Sequence, residues 1–243
     1  MSEGQVVDTE SAQEFMREAL GKITEAEQNA IAGELQKKHA RFSDLLSKPR
    51  RLSADELRLL LRSVFSTRRR VPDFLDGPVA GELPAWIFDL LRPEAPVEER
   101  FQTFYDRLSG FPDTQRHDLA SELLHFTFPD EYWLWTRWVW DRKTRTGALP
   151  LVTLEEYDLS GETVGETYLR VGRATAFVHE TGKAAGFTRI GEGAFGVDVY
   201  LACVYGVYVY TTVRMRMTQE FNRVIPELPE LCRRFLGVYR MES

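Results

Sequence analysis

The chain has 243 residues, 43% hydrophobic and 28% charged, with a formal net charge of −6. That balance is ordinary for a globular protein able to bury a core, and it excludes a collagen-like repeat and a disordered tail. With only Cys203 and Cys232, a disulfide scaffold is excluded as well. Two skews remain: only six of the 31 basic residues are Lys, and four of the five Trp fall between positions 133 and 140.

In chain order, residues 1–8 are polar and expected to fray. A helical pattern starts at Thr9 and breaks near Gly21. Thr24-Glu25-Ala26-Glu27 has the form of a capping box, in which the Thr hydroxyl accepts from the N3 amide and Glu27 reaches back. The helix it opens should run to about Leu46 and stop before Pro49. Its apolar positions, Ile31, Leu35, Phe42, Leu45 and Leu46, are sparse, which predicts a surface or partner-binding helix.

Ser53-Ala54-Asp55-Glu56 is a second capping box. Behind it Leu57, Leu60, Leu61, Val64 and Phe65 form an amphipathic stripe, with Arg58, Arg62 and Arg69 on the other face. Pro72, Pro78 and Pro84 punctuate a linker-like stretch. Short helices are predicted near 83–91, 97–108 and 114–126, separated by Pro93, Pro96 and Pro112.

The aromatic segment Tyr132–Trp140 is compatible with a helix or with a hairpin closed by Asp141–Gly147, and the Thr-rich turn favours the hairpin. Leu149–Leu154 reads as extended. A helix is predicted from about Ser160 to His179, stopped by Gly182, and Gly186–Gly196 reads as a loop. The long apolar run Val199–Val213 contains four Tyr, two Thr and a Gly. It is shorter than the roughly 20 residues that a membrane span needs. The spacing of Tyr200, Val204 and Tyr208 and the tail Gln219–Asn222 favour a helix over a strand, despite the β-like composition. A last short helix is predicted for Leu228–Leu236.

The expected fold class is therefore mainly α: a multi-helix globular domain with one small β-hairpin near 138–152. The expected layout is an N-terminal helical extension over 1–50 and a helical core over 51–243, with a sub-boundary near 148–160. The N-terminus lacks the basic and apolar regions of a signal peptide, so a cytoplasmic location is expected.

Catalytic patterns are incomplete. Asp118, Glu122 and His125 share one helical face at i, i+4 and i+7, and Glu122-Leu-Leu-His125 matches half of a di-iron motif. No second Glu-x-x-His accompanies it, so the three are weak metal candidates. Gly191-x-Gly193-x-x-Gly196 has dinucleotide-loop spacing, but Glu192 would face a phosphate and the surroundings read as helical. No Gly-x-Ser-x-Gly elbow and no Walker A motif occur, and no cofactor is expected. The run Leu124–Trp135 resembles a phrase in helical proteins related to helix-hairpin-helix DNA glycosylases, where it leads to a catalytic Asp. Here the position after Trp135 is Thr136, and Asp141 comes five residues later.

The charge pattern is more informative. Residues 48–70 hold Lys48, Arg50, Arg51, Arg58, Arg62, Arg68, Arg69 and Arg70 against Asp55 and Glu56, a +6 segment on an acidic chain. Arg137, Arg142, Lys143 and Arg145 form a second cluster beside Trp133, Trp135, Trp138 and Trp140. Arg and Trp carry much of the energy at protein interfaces, and basic patches also bind phosphates. The expected function is that of a non-enzymatic accessory protein docking on a macromolecular partner, most directly another protein. The candidate surface is Arg58, Arg62, Arg68, Arg69 and Arg70 with Trp133, Trp135, Arg137, Trp138, Trp140 and Arg142. A nucleic-acid-associated module is the alternative, and a metal enzyme using Glu122 and His125 comes third.

Overall fold

A computed structural model describes residues 6–47, 51–184, 195–216 and 226–239. It is mainly α: α1 (Thr9–Leu20), α2 (Glu25–Leu46), α3 (Ala54–Ser63), α4 (Val71–Leu75), α5 (Leu83–Leu91), α6 (Val97–Arg107), α7 (Asp113–Thr127), α8 (Val164–Ala184), α9 (Gly196–Arg216) and α10 (Leu228–Phe235). No helix among the described residues is long and apolar enough to cross a membrane. The chain forms two compact units. One comprises Met1–Leu35, Trp138–Tyr157 and Ala174–Ser243, and the other Gln36–Arg137 and Asp158–Arg173. The chain passes from one unit to the other within α2 and again within α8.

Local signals account for most helix starts. Asp8 caps α1 by accepting from the Ser11 amide at 3.1 Å. The Thr24 amide donates to Glu27 at 2.8 Å, and the Glu27 amide donates back to the Thr24 hydroxyl at 3.2 Å. Ser53 and Glu56 make the same reciprocal pair at the start of α3.

In the first unit α9 packs on α1 and on α10. The Tyr200 hydroxyl donates to the Ala12 carbonyl at 3.1 Å, tying α9 to α1. Residues 6–8 are not frayed: Val6 and Val7 are buried, and Val7 bridges Thr153 in antiparallel fashion. The Leu154 amide donates to the Val6 carbonyl at 2.9 Å, so an apolar dipeptide in an otherwise polar leader finds both a core and a backbone partner. The hairpin predicted near 138–152 shrinks to a single bridge between Asp141 and Thr146 around a tight turn. Leu149–Leu151 forms a 3-10 turn rather than a strand. Gly182 does not stop α8, which continues to Ala184.

In the second unit α6 packs between α5 and α7, and α5 also reaches α7. Every residue of α7 from His117 to Thr127 is buried. The start of α8 is held from α6: Gln102 accepts from the amides of Val164 and Gly165 at 2.9 and 3.2 Å. At Gly165 the backbone of Glu98 comes so close that any Cβ would collide with its carbonyl.

Two expectations about helix faces are corrected here. Phe65 does not continue the buried stripe of α3. The helix ends at Ser63 and Val64 turns extended, which swings Phe65 out to 48% exposure. Helix α2 is not a surface helix, since Ile31, Leu35, Phe42, Leu45 and Leu46 are all buried. Gln28 and Lys38 are buried with them, and Lys38 occupies the slot between Leu35 and Phe42 on that same stripe.

Candidate functional site

The polar side chains of α7 converge inside the second unit. Asp118, Glu122 and His125 are all buried, on one face as their spacing requires. Each is engaged separately. Lys38, with no exposed surface, places Nζ 2.5 Å from Glu122 Oε2 and 4.1 Å from the centroid of the Phe126 ring. His125 Nδ1 lies 2.7 Å from the Tyr132 carbonyl oxygen. A carbonyl only accepts, so Nδ1 carries the proton. The same reasoning assigns the Nδ1 protons of His39, 2.9 Å from the Phe126 carbonyl, and of His117, 3.0 Å from the Asp113 carbonyl.

Asp118 faces His117 instead of Glu122, with His117 Nε2 3.0 Å from its Oδ1. Burial works against the charged imidazole of His117. The carboxylates of Asp118 and then Asp113 outweigh it, and its pKa is raised above the usual histidine value. Glu122 is also pushed above the ordinary carboxylate range, by burial, with Lys38 pulling the other way. Chemically this is a set of satisfied pairs. Among the described residues, no group of three or more His, Cys, Asp or Glu is arranged to hold a metal ion.

Sequence reasoning missed Lys38. The signal was available: positions 31, 35, 38, 42 and 45 step by four and three, and a Lys sits in the central slot of an otherwise apolar stripe.

The Trp cluster divides. Trp135 is fully buried in the second unit, stacked on His117 with centroids 4.8 Å apart and on Phe101 at 5.9 Å. Its amide donates to the Ser121 hydroxyl at 2.6 Å. Trp133 is half-buried against Gly172. Trp138 and Trp140 are buried in the first unit, where Trp138 lies 6.0 Å from Phe235 and 6.4 Å from Tyr205. Trp135, Trp138 and Trp140 are therefore core side chains, and the expectation that they line a docking face is corrected. The segment is neither helix nor regular strand, so its side chains follow neither periodicity and can turn inward in succession. Arg137 is exposed and Arg142 half-buried, and both have interaction partners.

The basic segment presents a different surface. Lys48 and Arg50 lie outside the described residues. Arg58, Arg62, Arg69 and Arg70 are exposed. Arg58 pairs with Asp55 at 2.6 Å and Arg70 with Asp73. Arg62 and Arg69 have no carboxylate partner among the described residues. The Arg68 guanidinium lies 4.6 Å from the centroid of the exposed Phe65 ring. Leu59, on the outer face of α3, is 39% exposed. Two large apolar side chains and three arginines without carboxylate partners thus share one short stretch.

A cleft of about 200 Å³ between α5 and α6 is lined by Trp86, Asp89, Leu90, Arg100, Phe104 and Arg107, among others. Its charges are already satisfied. Arg107 pairs with Asp89 at 2.8 Å, and the buried Arg100 donates to the Leu90 and Ala95 carbonyls and to the Tyr132 hydroxyl. The Gly191–Gly196 loop lies almost entirely outside the described residues.

Compared with known protein families, curated proteins and solved structures, the chain matches none.

Proposed function

We propose that this protein is a non-enzymatic binding protein that docks an acidic, partly apolar segment of a protein partner through α3 and the turn after it. The supporting observation is the outward placement of Leu59 and Phe65 among Arg58, Arg62, Arg68 and Arg69. Arginines beside large apolar side chains combine charge steering with water-excluding anchors, the mix that dominates protein interfaces. Phosphate binding alone would need only the cations. The buried Trp residues take no part in this face.

The test compares the tagged chain, cross-linked in cells, with Phe65→Ser and with the double reversal Arg62→Glu/Arg69→Glu. The expected result is a protein that is recovered with the wild type and with the control Arg173→Glu, and lost with both test variants. Recovery unchanged in both test variants sinks the reading. Binding to short duplex DNA that falls by about a thousandfold or more between 50 and 200 mM salt would assign the face to nucleic acid instead.

A further inference from the structure

The chain has only two cysteines, and the fold brings them together. Cys203, in the middle of α9, and Cys232, on α10, are 29 positions apart, and their sulfurs lie 3.7 Å from each other. Both are free thiols and both are buried in the first unit. A sulfur–sulfur distance of 3.7 Å is van der Waals contact, so closing to the roughly 2.05 Å of a disulfide asks for less than 2 Å of approach. The packing around the pair is close. A side chain at Gly206, three residues past Cys203, would strike Leu228 of α10, so the two helices are already held at short range.

We propose that Cys203 and Cys232 form a reversible redox pair, whose oxidation by a low-molecular-weight disulfide staples α10 to α9. One protein thiolate attacks a sulfur of the small disulfide, the original S–S bond breaks, and one small thiol leaves with a proton. The second protein thiolate then attacks the protein-side sulfur of the mixed disulfide and displaces the second small thiol. The protein loses two electrons and two protons, and one small disulfide becomes two thiols. The shared contact with Cys203 and burial both hold the Cys232 thiol up, so the attacking thiolate forms only when the α9–α10 contact opens. The reduced pair is therefore slow to react, and the oxidised pair, once made, is shielded from outside thiols.

The experiment incubates the folded, reduced protein with oxidised glutathione and follows intact mass. Circular dichroism monitors that the fold persists. The expected product is 2 Da lighter, monomeric, yields a peptide containing Cys203 linked to Cys232, and melts several degrees higher than the reduced protein. Cys203→Ser and Cys232→Ser should each stop at the mixed disulfide or stay unmodified, with no 2 Da loss. The proposal is overturned if the folded wild type keeps its mass while the urea-unfolded protein oxidises. It is also overturned if the wild-type product is a stable mixed disulfide or a disulfide-linked dimer.

Discussion

Lys38 on α2 and Glu122 on α7 meet at 2.5 Å, with both side chains closed to water. Each charge is stabilised only by the other and by nearby dipoles, since solvent is excluded. Breaking such a pair costs more than never having had it, because the remaining charge stays buried and unpaired. Lys38→Met is expected to destabilise the protein by about 3–5 kcal/mol in urea unfolding, and Lys38→Met/Glu122→Leu by much less. The single variant also has a pH signature. Without Lys38, burial raises the Glu122 carboxyl further above its unfolded value of 4.5. The folded state then holds that proton longer than the unfolded state, so stability falls as pH rises through the raised value. The gap between wild type and Lys38→Met should widen with rising pH. A gap that narrows would contradict the pairing.

His117 supplies a second pH handle with the same sign. It is a base whose folded pKa is raised above 6.5, so its stabilising contribution is complete below that pH and is lost as pH rises through the folded value. Asp118→Asn removes the nearest carboxylate while Trp135 keeps the ring stacked. The His117 ring resonance should then titrate at lower pH than in the wild type, as read by NMR. The urea midpoint of the variant should also fall less than that of the wild type as pH rises above 6.5. An unshifted His117 titration would remove Asp118 as the cause.

Two helical glycines should respond in opposite directions to the same substitution. At Gly33 on α2 an added Cβ meets nothing within 4 Å, so Gly33→Ala should stabilise by about 0.4–1 kcal/mol through the unfolded chain. At Gly165 the Cβ meets the Glu98 backbone, which cannot rotate away as a side-chain tip could. Gly165→Ala should destabilise by about 1–3 kcal/mol, as overpacking does, by forcing α6 and the start of α8 apart. Thermal denaturation of both variants in one buffer checks the pair.

The helices were largely legible in the chain. The predicted segments near 83–91, 97–108 and 114–126 correspond to α5, α6 and α7 within a residue or so at each end, and both capping boxes form. These signals are local: a cap, a proline break and a 3.6-residue period all lie within a few turns of one another. The run from Val199 to Val213 is helical despite its Val, Tyr and Thr, because Tyr200 and Cys203 meet partners on α1 and α10 at helical spacing. The candidate site was less legible. Asp118, Glu122 and His125 do share a face, but their partners Lys38, His117 and Tyr132 come from other helix positions and a loop.

Sequence alone determined that this is a helical protein, where most helices begin and end, and that basic charge gathers near α3. Only tertiary structure decided which of those features face water. Leu59 and Phe65 came out and three tryptophans went in. Burial is set by whatever packs against a side chain, and here that neighbour is often many residues away: 84 for Lys38 and Glu122, 29 for the two cysteines. A charge in an apolar stripe can mark either a solvated break in that stripe or a buried ion pair, and the choice between them is made by the carboxylate that arrives from a distant helix.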